Sequence, residues 1–246
     1  MENKFQIKWF EELDSTNDEL LRHIETYDNL SVVAAVRQTA GRGQRGNRWL
    51  SAPGDNLTFS LVLKPSALPA REAMAISCWA SLAVREALRS VGVPAVIKWP
   101  NDLYVGNRKI VGMLVENALS GPDIAWSVVG IGINLNQVEF PGELMNATSV
   151  RRLTGKSVDP ASFLETLCGI MEGLLPRLGT PEGRASLRSD YEEELFRKDI
   201  AASYRNLLTG KEFAGILRGI TPEGLLCVES EGVVDTFGFK EISYIL

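Results

Sequence analysis

Apolar and polar positions along the chain change period several times, and each change marks an element. Residues 5–10 read as a short strand. Ser15-Thr16-Asn17 ahead of Glu19, Leu20, Leu21 and Ile24 predicts a capped amphipathic helix, which places a polar triplet at a strand-to-helix junction. Residues 31–37 are β-branched and apolar and residues 57–63 alternate, so the stretch rich in Gly and Arg between them is a loop joining two strands. Residues 72–91 carry apolar positions at helical spacing up to Gly92, and residues 96–98 follow as a short buried strand. Strands at 103–105 and 109–116 flank Gly106-Asn107, a dipeptide suited to a tight hairpin because both residues tolerate positive φ; this hairpin sets the direction of Lys109. Residues 124–134 give another strand, 160–175 another helix and 187–196 a charged helical segment. From residue 197 the texture turns to short β-like runs at 212–217, 225–229 and 235–239, parted by turns at 221–224 and 231–232. The expectation is an α+β chain with a mixed sheet backed by helices over residues 1–196 and a small C-terminal β-barrel over 197–246.

Composition narrows the function more than the fold. With 246 residues, 45% hydrophobic and 23% charged, the chain reads as a soluble globular protein of one or two domains. A net charge of -5 with scattered basic residues argues against a protein that grips phosphate backbones, so no DNA partner is expected. Cys78, Cys168 and Cys227 stand far apart without paired spacing, which suits a reducing cytoplasm. His23 is the single histidine and falls inside a predicted helix, which leaves histidine-based nucleophile or metal chemistry almost no material. The N-terminus MENKFQIKWF has mixed charge and no apolar core, unlike a signal peptide. Residues 124–135, the longest apolar-looking stretch, are interrupted by Ser127, Gly130 and Gly132 and are too short to cross a bilayer. A cytoplasmic protein with no membrane partner is expected.

Three segments carry candidate chemistry. Residues 41–49 combine three glycines, three arginines and Trp49. Glycines free the backbone to aim N–H groups at one anion, arginines supply forked donors, and an indole offers a flat face for a base, a combination suited to a nucleotide. A solvated flexible loop has the same composition, and the segment fits neither GxxxxGK[ST] nor GxGxxG. The second is Lys98-Trp99-Pro100-Asn101-Asp102, followed by Arg108-Lys109 and closed by Gly112 and Glu116. It reads either as a shaped pocket wall or as a structural turn with a core tryptophan. Lys109 sits in an otherwise apolar strand, where an ammonium needs an anion or solvent. The third is Gly130-Ile131-Gly132-Ile133-Asn134-Leu135-Asn136, whose strand glycines allow close approach of a ligand or mark a bulge.

Taken in order, STN, QTAGRGQRGNRW, KWPNDLYVGNRKIVGMLVE, GIGINLN and NATS strongly resemble the biotin–protein ligases, from Ser15 to Ser149. The remainder, ending FGFKEISYIL, looks like the family's less specific C-terminal part. The resemblance implies a catalytic domain related to that of class II aminoacyl-tRNA synthetases and shared with lipoate–protein ligases. It implies ATP and biotin as substrates, Mg2+ whose ligands the sequence does not reveal, and a biotin carboxyl-carrier domain as partner. Lipoate ligase is the nearest alternative, and a biotin-binding protein that has lost turnover is another. By similarity, Ser15, Thr16, Asn17 and Gln38 satisfy the ureido group, Arg42, Gly43 and Gln44 belong to the loop closing over the product, and Gly112 leaves room for the ring system. Lys109 is the first choice as catalytic residue, with Arg42 and Asp102 beside it. Arg45, Arg48, Trp49 and Asn134 are expected on the nucleotide.

Two departures stand out. The family loop commonly reads GRGRxGRxW, and Gln44 and Asn47 here replace two arginines, each removing a positive charge close to the expected adenylate phosphate. Some family members carry an N-terminal helix-turn-helix domain and act as repressors. Here the STN triplet comes 15 residues from the start, so no repressor function is expected. In the family a sheet edge serves dimer contacts and carrier docking alike, and the sequence leaves a homodimer open.

Overall fold

A computed structural model describes residues 4–144 and 146–245; the side chains of Arg45 and Glu143 lie outside that description. Seven strands form one mixed sheet: β1 (Gln6–Leu13), β2 (Ser31–Gln38), β3 (Leu57–Leu63), β4 (Val96–Lys98), β5 (Asp102–Val105), β6 (Arg108–Ser120) and β7 (Asp123–Ile133), in the order β1-β2-β3-β7-β6-β5-β4. β1 and β2 run parallel and every other pair is antiparallel. Because side chains alternate across a sheet, each strand is written for two environments. Val32, Ala34, Phe59, Leu61, Val129 and Ile131 join the main core with α2 (Met74–Ser90), α4 (Pro160–Leu174) and α5 (Pro181–Glu193). On the other face Val33, Val62 and Val128 meet Leu20 of α1 (Thr16–Arg22) in a smaller cluster. Further along that second face, the alternation places Thr58 and Ser60 of β3, Gly130 and Gly132 of β7, and Gly112 and Glu116 of β6, with Asn17 of the first turn of α1 set against Ser60, Gly130 and Glu116.

The remaining strands, β8 (Ala201–Asn206), β9 (Glu212–Ile220), β10 (Leu226–Ser230), β11 (Val233–Phe237) and β12 (Ile242–Tyr244), make a separate five-stranded antiparallel sheet in the order β11-β10-β9-β8-β12. Its β9–β10 turn docks behind the KWPND segment. Trp99 Nε1 donates to the Gly224 carbonyl at 3.0 Å, and Tyr191 Oη on α5 donates to the Pro100 carbonyl at 2.8 Å. A Cβ at Gly224, whose φ is +90°, would stand 2.7 Å from Met74, so only glycine lets the turn seat there.

Several boundaries differ from the sequence reading for local reasons. The charged helix begins at Pro181 rather than 187, because Thr180 caps it by accepting from Gly183 N–H and Pro181 occupies the first turn. It stops at Glu193, and the chain then runs beside β4, with Ile97 N–H donating to Glu194 and Phe196 N–H to Ile97. β8, β12 and the five-residue α3 (Val150–Thr154) are too short or too exposed to show a period. In the β5–β6 turn Gly106 alone takes positive φ, +57°, and Asn107 does not. No helix among the described residues is long and apolar enough to cross a membrane.

Candidate active site

The glycines of β7 explain themselves once the register is known. Gly130 opposes Ser60 and Leu114, and Gly132 opposes Thr58 and Gly112, so at the level of Gly132 a row without bulky side chains runs across three strands. Ile131 and Ile133 point the other way into the core. A cavity lies over this strip. It is lined by Ser15, Thr16, Asn17, Gln38, Arg42, Gly43, Gln44, Lys109 and Gly112, all nine residues expected at the biotin position.

The polar triplet is held by the start of α1. Ser15 is the N-cap and accepts from Asp18 N–H, which turns Thr16 and Asn17 inward, both buried. Thr16 N–H donates to Gln38 Oε1 at 2.8 Å, fixing the glutamine amide. Asn17 Nδ2 donates to Glu116 at 2.9 Å, and Ser60 Oγ donates to Asn17 Oδ1 at 2.5 Å. The strand-to-helix corner is tied by Asp14, which accepts from Ser15 N–H and from Arg22. The Arg22 guanidinium, with the Ser15 N–H behind it, brings the Asp14 carboxyl down to about 2. A depressed carboxyl stabilises the fold above its ordinary value and loses that contribution as pH falls toward 2. Arg22→Gln is expected to return Asp14 toward the ordinary carboxylate range, followed by its carboxyl carbon shift during acid titration; an unmoved midpoint would remove Arg22 as the cause.

Lys109 stands at the edge of this cavity. Its Nζ lies 2.7 Å from Asp102 Oδ2 and within 3.1 Å of where a Gly112 Cβ would be. Asp102 lines neither this cavity nor the next, so its contact with substrate passes through Lys109. Lys109 also lines a larger cavity with Arg48, Trp49 and Asn134, three of the four residues expected on the nucleotide; the Arg45 side chain lies outside the described residues. Asn134 is buried and donates to the Thr148 carbonyl at 3.0 Å. Trp49 lines both cavities, its indole close against Gly112 and Gly132, where added Cβ atoms would stand 2.8 and 2.2 Å from the ring. Trp49 Nε1 and Asp102 Oδ1 are buried without a partner among the described residues, a costly state for each.

The glycine–arginine loop is tied at three points, which its composition did not suggest. Arg42 pairs with Asp18 at 2.6 Å and with Glu116 at 2.8 Å. Glu116 foremost holds the Arg42 guanidinium above its usual range. Gln44 Nε2 donates to Asn101 Oδ1 at 2.5 Å and to the Met113 carbonyl at 2.8 Å. Trp49 closes the loop through its N–H to the Gly41 carbonyl. Both amide hydrogens of Gln44 are thereby engaged, and only Oε1, an acceptor, remains.

Residues 9–134 match the model of the biotin/lipoate A/B protein ligase family. The chain belongs to that family. The ligase is 33% identical over 233 residues to the bifunctional ligase/repressor BirA of Escherichia coli, strain K12, spanning 94% of this chain and 71% of the relative. It is 36% identical over 221 residues to the biotin–[acetyl-CoA-carboxylase] ligase of Paracoccus denitrificans, spanning 87% and 90%. Its fold matches a biotin protein ligase from Aquifex aeolicus in complex with biotin and ATP with a TM-score of 0.79, at 28% identity over 97% of each chain.

Sequence reading gave the ligase's cavity wall but missed what stands behind it. Ser60, Asp18 and Asn101 were unassigned, and Glu116 was noticed without a role. Ser60 was findable: strand alternation puts it on the same side as Thr58 and away from Phe59 and Leu61, where a serine is out of keeping with an apolar strand.

Proposed function

We propose that this ligase activates biotin with ATP and transfers it to a lysine of a biotin carrier domain. The observation that carries the reading is Lys109 at the junction of two adjoining cavities, one lined by the residues expected for biotin and the other by those expected for a nucleotide. In the first step the biotin carboxylate attacks the α-phosphate, giving biotinyl-5′-AMP and pyrophosphate. In the second, a carrier lysine attacks the mixed anhydride and AMP leaves.

Both steps gather negative charge where the cavities meet. The Lys109 ammonium would neutralise it as the five-coordinate phosphorus forms, which is differential stabilisation of the transition state. Asp102 is a positioning residue: its carboxylate 2.7 Å away fixes where the ammonium sits. Trp49, over the glycine strip between the cavities, would shield the anhydride from water. Magnesium belongs with the nucleotide as MgATP; among the described residues no group of three or more His, Cys, Asp or Glu side chains is placed to hold an ion.

Gln44 bears on how long the adenylate stays. Its remaining Oε1 repels a phosphate, whereas an arginine could keep the bonds to Asn101 and Met113 and still donate to the anion. Gln44→Arg is expected to slow release of biotinyl-5′-AMP by roughly tenfold, the difference between a neutral and a charge-assisted hydrogen bond. Trapping released adenylate with hydroxylamine measures it, and an unchanged rate would place the residue away from the phosphate.

The reaction as a whole is tested by incubating the protein with biotin, MgATP and an acetyl-CoA carboxylase carrier domain. One biotinyl mass increment on the carrier is expected. A lipoyl increment under the same conditions, with none from biotin, would move the activity to the lipoate branch.

A further inference from the structure

A urea ring presents two N–H donors and one carbonyl acceptor, so a site that recognises it must present hydroxyls and amides with the correct polarity. A hydroxyl can point its hydrogen either way, and something behind the cavity wall must decide. The decision can be traced from Glu116. Its carboxylate, paired with the Arg42 guanidinium at 2.8 Å, accepts only. The Asn17 group facing it at 2.9 Å is therefore the NH2, and Asn17 Oδ1 must face Ser60. Ser60, fully buried, then donates its one hydrogen to that oxygen at 2.5 Å.

Thr16 follows by elimination. Its Oγ1 lies 2.7 Å from Ser60 Oγ, a distance that requires a hydrogen between them. Ser60 has none left, so Thr16 supplies it. The other acceptor within reach, Gln38 Oε1, is longer at 3.2 Å and already receives Thr16 N–H at 2.8 Å. Under either choice the Thr16 proton is held inside the protein, and the oxygen meets the cavity with a lone pair.

We propose that Ser60 and Glu116 set the donor–acceptor polarity of the biotin cavity, so that Thr16 meets a ureido N–H as a fixed acceptor. Both are positioning residues, neither reaching the reacting atoms. The inference rests on the biotin reading above. It makes Glu116 a shared support, since the same carboxylate that orients Asn17 also holds Arg42 of the glycine–arginine loop.

The test compares biotin with its two cyclic carbamates, in which one or the other ureido N–H is replaced by oxygen, in ATP–pyrophosphate exchange. The natural protein is expected to reject one carbamate by about tenfold or more, because an oxygen would face the Thr16 lone pair. In Ser60→Ala the short contact that pins the Thr16 hydrogen is gone, and against only the longer bond to Gln38 Oε1, which already receives Thr16 N–H, the hydrogen can turn toward the ring oxygen. The KM for biotin rises with kcat little changed, and discrimination against that carbamate falls toward parity. Ser60→Cys, which keeps a weaker donor, should lie between. Because discrimination is a ratio within one preparation, loss of folded protein cancels. Full discrimination in Ser60→Ala, or equal use of biotin and both carbamates by the natural protein, overturns the inference while leaving biotin activation standing. No exchange with biotin in the natural protein would instead overturn the functional reading on which it rests.

Discussion

Lys109→Ala is expected to lower biotin-dependent ATP–pyrophosphate exchange by roughly 10²- to 10³-fold, the usual consequence of removing one pre-organised group from a transition state that gathers charge. The loss should fall on kcat and kcat/KM together, since the ammonium acts on the phosphorus centre more than on either bound substrate. The fold should survive. Lys109 is half-buried near the start of β6, and truncation leaves Asp102, itself partly exposed, with access to solvent. A thermal melt separates the two effects. Unchanged exchange in a folded Lys109→Ala protein would mean that the chemistry does not occur where the two cavities meet.

The second large effect is expected from a single methyl group. In Gly130→Ala the new Cβ would stand 2.0 Å from Asn17 Oδ1 and 2.8 Å from its Cγ. Asn17 cannot step aside easily, being buried in the first turn of α1 and bonded on both ends of its amide, to Ser60 and to Glu116. Overpacking of this kind costs about 1–3 kcal/mol, so the KM for biotin should rise by roughly 10- to 100-fold with a much smaller change for ATP. Gly132→Ala makes the contrast. There the added carbon meets the Trp49 indole at 2.2 Å, and relieving the clash displaces a ring that also lines the nucleotide cavity. Its effect should fall on ATP and on leakage of adenylate, not chiefly on biotin. Steady-state kinetics on both variants checks this. Equal losses for both substrates in both variants would contradict the separation of the cavities.

The strand glycines also show what could be read from sequence and what could not. GIGIN announced a close approach to a strand. Whether ligand or backbone made that approach depended on the neighbours β3 and β6, which are distant in sequence. The polar triplet at the start of α1 was legible through its cap, and its place at the cavity was expected from the family resemblance alone. The loop was the opposite case. Three arginines and three glycines suggest mobility, yet Arg42 and Gln44 are tied to Asp18, Glu116, Asn101 and Met113. Three of those four ties join side chain to side chain and the fourth reaches a backbone carbonyl, across up to 74 residues of sequence, and no local pattern encodes them. Ser60 stands between these cases. Strand alternation sets it apart from its apolar neighbours, but its role depends on the asparagine it faces.

The most direct measurement is ATP–pyrophosphate exchange by the purified protein with biotin and, separately, with lipoate, before any carrier is added. Two adjoining cavities meeting at Lys109 predict exchange that depends on biotin and is absent with lipoate. Exchange with lipoate and none with biotin would contradict the assignment of the cavity over the glycine strip, and with it the roles given to Thr16, Asn17 and Gln38.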